Sequence, residues 1–134
     1  MKALLNAAYA ANFDGYELLA QMTLPGTGVE LCLFSDKPEY MQTLRAQADR
    51  FRGMPSTLHG PFRGVDAASP AGSDAHKQII AAYADALDVY ELFGAQSIVM
   101  HTHSGSRPVA DKEVRQRQSL ATILEIGEMA RARG

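Results

Sequence analysis

The sequence predicts an α/β fold: four parallel strands, each followed by a helix, forming the N-terminal half of a (β/α)₈ barrel. Three observations carry this expectation. Four apolar runs, Ala3-Leu4-Leu5, Val29 to Phe34, Ser56-Thr57-Leu58 and Ser97 to Met100, are short enough for strands. The second and fourth are nearly continuous rather than alternating, as strands covered on both faces of a parallel sheet are. Segments of helical period lie between them, so the order is β-α-β-α-β-α-β-α, which requires right-handed crossovers. Four such units in 134 residues extrapolate to about 270 for eight, near the roughly 250 of a complete barrel.

Each helix has its own signals. A weak one is expected near Gly15 to Met22, ended by Pro25-Gly26. The next is expected from Lys37 to Phe51, with Asp36 and Glu39 in capping-box spacing, Pro38 in the first turn and Gly53 closing it. The clearest begins near Ser73 and carries Ile79, Ile80, Tyr83, Leu87 and Tyr90 on one face. It stops at Gly94, which takes the left-handed C′ conformation without a Cβ penalty. The last is expected from Asp111 to Ala132, with Leu120, Ile123, Leu124 and Met129 as its apolar set. No linker interrupts residues 1–134, which read as a single partial barrel domain. The chain stops where a fifth strand would be expected to begin. Open edge strands would template aggregation, so a homo-oligomer covering them is one expectation.

Composition narrows the function classes. The formal net charge is −2, from 13 basic and 15 acidic residues, which disfavours a nucleic-acid partner. The single cysteine, Cys32, lies in an apolar run and cannot form an intramolecular disulfide. Neither a signal sequence nor an apolar span of about 20 residues is present. A cytoplasmic protein without membrane attachment is the expectation.

In a barrel of this kind the active site lies where strands give way to loops. The third strand ends in Leu58-His59-Gly60-Pro61-Phe62 and the fourth in Met100-His101-Thr102-His103, so both bring a histidine to the mouth. Imidazole there can ligate a metal, bond a substrate hydroxyl or exchange a proton near neutral pH. A histidine that only satisfies backbone groups at a strand end is the structural alternative for His59 and His101. His103 reads equally as a ligand or as a solvated loop residue. His76, in the first turn of its helix, reads as solvent-exposed. Glu30 interrupts an apolar strand, so it either faces the site or pairs with a cation such as Lys2. Asp66 fits a loop cap, and Ser104-Gly105-Ser106 with Arg107 is a weak phosphate-loop signal. Gly26-Thr27-Gly28 precedes a strand and so fails as a dinucleotide fingerprint.

The strand end His59-Gly60-Pro61-Phe62, the following Gly64-Val65-Asp66 and Ser69-Pro70, and Gly94 to His101 together resemble the xylose isomerase-like barrel superfamily. That superfamily joins sugar-phosphate isomerases and epimerases with endonuclease IV (AP endonuclease family 2). In the isomerase and epimerase branch, the resemblance implies that His59 and His101 bind substrate, together with an acidic residue such as Glu30. It also implies a divalent metal, Zn, Mn or Mg, and catalytic acid-base carboxylates expected beyond residue 134. In the endonuclease IV branch, His59 and His101, with His103 as a further candidate, would be metal ligands in a phosphodiesterase. A metal-dependent sugar or sugar-phosphate isomerase or epimerase is the first functional expectation. The alternatives are the endonuclease IV-like phosphodiesterase and a non-catalytic half-barrel assembly module, and the 134-residue chain is itself expected to be inactive.

Overall fold

A computed structural model describes residues 3–6, 26–102 and 111–134. Four strands, β1 (Ala3–Asn6), β2 (Thr27–Cys32), β3 (Ser56–His59) and β4 (Ile98–Val99), form one sheet in the order β1-β2-β3-β4. Every neighbouring pair is parallel, with Leu5 beside Val29, Leu31 beside Leu58, and Leu58 beside Ile98. Three described helices accompany them: α1 (Pro38–Arg45), α2 (Asp74–Phe93) and α3 (Lys112–Ala132). The helix expected near Gly15 to Met22 lies outside the described residues.

The alternation of the strands divides the sheet chemically. Val29, Leu31, Leu33 and Leu58 are buried with Leu44, Ile79, Tyr83, Val89 and Phe93 from the helical layer, and these residues form the core. The opposite face carries Glu30 beside Thr57, and Cys32 beside His59. One period-2 pattern thus supplies both the packing that orders the sheet and the polar groups at its mouth.

The segment expected to be one helix over Lys37 to Phe51 is two elements. The α1 ladder ends at Arg45, and a 3₁₀ turn follows over Ala48–Phe51, held by the Gln47 N–H to Leu44 and the Arg50 N–H to Gln47. Tightening the chain there seats Phe51 against Phe93, with ring centroids 6.3 Å apart. The capping box does not form either: Lys37 occupies the N-cap and no side chain caps it.

Helix α2 follows expectation. The Ser73 hydroxyl accepts from the His76 N–H at 3.2 Å, a normal N-cap bond. At the other end Gly94 has φ +59°, and the Ala95 N–H reaches back to the Tyr90 carbonyl at 3.0 Å.

Helix α3 departs from expectation in the face it buries. Leu120 and Leu124 are 57% and 60% exposed, whereas Ser119, Thr122 and Ile126 face inward. Two polar anchors set this orientation. Ser119 Oγ donates to the Thr102 carbonyl at 2.7 Å, and the Arg115 guanidinium meets Asp66 at 2.6 Å. Satisfied hydrogen bonds to otherwise buried polar groups outweigh burial of two leucines that can remain in contact with solvent.

His76 is also a correction. It is 9% exposed rather than solvated, with Nε2 3.1 Å from Glu125 on α3 and Nδ1 accepting from the Gly72 N–H at 3.4 Å. It clasps the start of α2 to α3.

Candidate active site

Adjacent strands bring Glu30, His59 and His101 into one chain of contacts. Glu30 Oε1 lies 3.4 Å from His59 Nδ1, and His59 Nε2 lies 2.8 Å from His101 Nε2. A carboxylate facing Nδ1 favours the Nδ1–H form of a neutral ring. His59 Nε2 is then an acceptor, and the His101 Nε2–H donates to it. Glu30 therefore stands beside His59; Lys2, its other candidate partner, lies outside the described residues.

The pair has an aromatic wall. The Phe62 ring stands 5.3 Å from the His59 ring and 5.5 Å from the His101 ring, centroid to centroid. Phe34 contacts Phe62 at 5.9 Å, and the Arg63 guanidinium lies over both Phe34 and Phe62, at 5.1 and 5.8 Å. Beneath them Tyr83 is 1% exposed and its hydroxyl donates to the Pro61 carbonyl at 3.4 Å. Burial raises the Tyr83 phenol pKa above its ordinary value, with a backbone hydrogen bond at His101 acting the other way. One tyrosine of α2 therefore braces the loops that leave both β3 and β4.

Asp66 caps its loop as expected, accepting from the Ala68 N–H at 3.0 Å, and its second oxygen takes the Arg115 guanidinium. His103 and Ser104-Gly105-Ser106-Arg107 lie outside the described residues. Sequence reasoning placed Arg63 in the loop after the third strand but missed Tyr83 and Thr57 as neighbours of the histidine pair. Thr57 shares the Glu30 face and its buried hydroxyl has no hydrogen-bond partner among the described residues. Its position two residues before His59 on the same strand was the available signal.

The divalent metal implied by the resemblance meets two imidazole nitrogens here. Glu30 engages the far nitrogen of His59 and so does not share their direction. Among the described residues no group of three or more His, Cys, Asp or Glu side chains could hold a metal ion. Three or four protein ligands are usual for zinc, so the described residues do not fit the ion on their own.

Burial, and then the nearby charge that His59 can carry, lower the pKa of His101. The unfolded chain therefore takes up a proton at this residue before the folded chain does. Stability associated with His101 is complete above about pH 6.5 and declines as the pH falls toward the lowered folded value. Denaturant titrations between pH 7.5 and 5 should show stability decreasing with acid, and His101→Gln should flatten the slope. An unchanged slope in His101→Gln would assign the acid sensitivity elsewhere.

No family model matches this chain, and no curated protein matches it. Among solved structures it is similar to one described as a D-tagatose 3-epimerase-like protein, with a TM-score of 0.75 and 19% sequence identity. The likeness covers 98% of this chain and 49% of that one, so the chain spans about half the length of the structure it matches. What this shows is the fold: the described parallel strands and helices are laid out as in one half of that barrel. The described helices include none long and apolar enough to cross a membrane.

Proposed function

We propose that residues 1–134 form one wall of the active site of a sugar or sugar-phosphate isomerase or epimerase. The observation that carries this reading is the Glu30, His59, His101 relay, which two strand ends hold against Phe62. The described likeness to an epimerase-like protein over nearly the whole chain supports it. Such reactions move a proton beside a carbonyl while other groups hold the substrate hydroxyls and the developing oxyanion.

The relay suits the holding task. Two Nε2 atoms that bond each other at 2.8 Å can instead bond a substrate hydroxyl between them, one donating to it and the other accepting. Glu30 keeps His59 in one tautomer, so the direction of that exchange is fixed. The ring of Phe62 offers an apolar surface to the C–H face of a sugar. Glu30 is a positioning residue in this scheme, because it acts through His59.

The acid-base carboxylates are assigned to the complementary half of a barrel, which the matched structure's length includes. The 134-residue chain alone is therefore expected to bind sugar without turning it over. A ketohexose such as D-fructose, added to labelled protein, should shift the His59 and His101 ring resonances. His59→Ala should weaken that binding about tenfold, the worth of one or two lost hydrogen bonds. Binding that survives His59→Ala and His101→Ala unchanged would remove the sugar site from these strand ends.

A further inference from the structure

Two cations near His59, namely Arg63 and Lys37, have aromatic rings for neighbours and, among the described residues, no ion pair. The Arg63 side chain is exposed, and its guanidinium carbon lies 5.1 Å from the Phe34 ring centroid and 5.8 Å from that of Phe62. Among the described residues no carboxylate pairs with it. Lys37 lies over the same Phe34 ring at 5.5 Å, also unpaired among the described residues. The other cation of this region differs: Arg45 forms an ion pair with Asp85. Arg63 and Arg45 border a shared groove of about 520 Å³ between α1 and α2, with Ser35, Asp36 and Gln78 among its lining residues. Of the two arginines of that groove, Arg63 is the one with no ion pair among the described residues.

The aromatic neighbours change what the guanidinium can do. Phe34 is itself wedged by Tyr40 and Phe62, at centroid distances of 4.9 and 5.9 Å, so the platform under Arg63 is fixed. A guanidinium held against two rings gives up less freedom on binding than a free one, and its N–H groups can fork to an oxyanion. Phe62 is also the ring that packs on His59 and His101. One side chain therefore connects the hydroxyl-holding pair to the cation.

We infer that Arg63, assisted by Lys37, is an anion-binding position at the rim of the sugar site, and that the substrate class is a phosphorylated sugar. This inference rests on the sugar-binding reading above. The sugar ring lies against Phe62 and the imidazoles, while its phosphate accepts from Arg63. Asp36 and Glu39, both exposed near Lys37, oppose the anion and moderate its affinity. Two cations are far fewer than a duplex-binding surface uses, which favours a small phosphate ester over nucleic acid.

The test compares D-fructose 6-phosphate, D-fructose and inorganic phosphate, each titrated into labelled 134-residue chain at low and at 0.5 M salt. The phosphate ester should bind about tenfold more tightly than the free sugar at low salt, a preference that salt reduces. Arg63→Ala should abolish the preference for the ester over D-fructose, and Arg63→Lys should restore part of it. Inorganic phosphate alone should shift the Arg63 Nε resonance, and Asp36→Asn should strengthen that response. Equal affinity for ester and free sugar, or a preference that persists in Arg63→Ala, overturns the inference. A phosphate response at Arg63 with no sugar binding keeps the anion site and removes the sugar reading. Tighter, steeply salt-dependent binding of an abasic duplex would replace the phosphorylated sugar with nucleic acid.

Discussion

Replacing Gly60 by alanine is expected to destabilise the fold by about 3 kcal/mol, the upper part of the usual range for forcing extra volume into a packed site. The Gly60 N–H donates to the Val99 carbonyl at 3.0 Å, which brings the two backbones together just past His59. A Cβ on Gly60 would stand well inside contact distance of that carbonyl oxygen. It would also lie 2.9 Å from the Tyr83 hydroxyl and 3.2 Å from Ile98 Cγ2. Backbone cannot swing aside as a flexible side chain can, so β3 and β4 must separate. His59 and His101 sit at the ends of those strands, and their mutual hydrogen bond should be lost with the register. Urea titration checks the stability change, and ring-nitrogen spectra check the histidine pair. A Gly60→Ala protein with the parent's midpoint and an intact His59 to His101 bond would refute the close approach.

Leu58→Ala is expected to cost about 2 to 5 kcal/mol, the span seen when a fully buried leucine leaves a cavity that its surroundings fill only partly. Leu58 is 0% exposed and lies in register between Leu31 on β2 and Ile98 on β4. Its loss opens the middle of the sheet next to His59. Domains are stable by only about 5 to 15 kcal/mol, so this one change consumes a large share. The matched control is Leu120→Ala, at 57% exposure, which should stay within about 0.5 kcal/mol of the parent. Equal effects from the two substitutions would contradict the burial pattern.

These two sites also show what was legible beforehand. Leu58 and His59 stand in an apolar run that turns polar, and that boundary located the end of the strand. Gly94 announced the end of α2 because few other residues tolerate the conformation it adopts. Glu30 was conspicuous as a carboxylate among apolar neighbours. The inward face of α3 was not legible, because periodicity ranks Leu120 and Leu124 above Ser119 and Thr122. The partners that reverse this order, the Thr102 carbonyl and Asp66, are distant in sequence. His76 was misjudged for the same reason, its partner Glu125 lying on another helix. The break after Arg45 answers to the placing of Phe51 on Phe93, again a tertiary contact. Which nitrogen of His59 faces His101, and that Arg63 rests on two phenylalanines, follow only from three-dimensional proximity.

The division of the sheet into a packed face and a polar face bears on how such a protein can change. Leu31 and Leu58 point one way while Glu30 and His59, their immediate neighbours in sequence, point the other. Strand spacing of about 4.8 Å sets the separation of residues on the polar face, whatever side chains occupy it. Positions 30, 57 and 59 therefore stand on a fixed lattice, with His101 two residues beyond the end of β4. Exchanging the groups they hold leaves the packing of the helices on the other face in place.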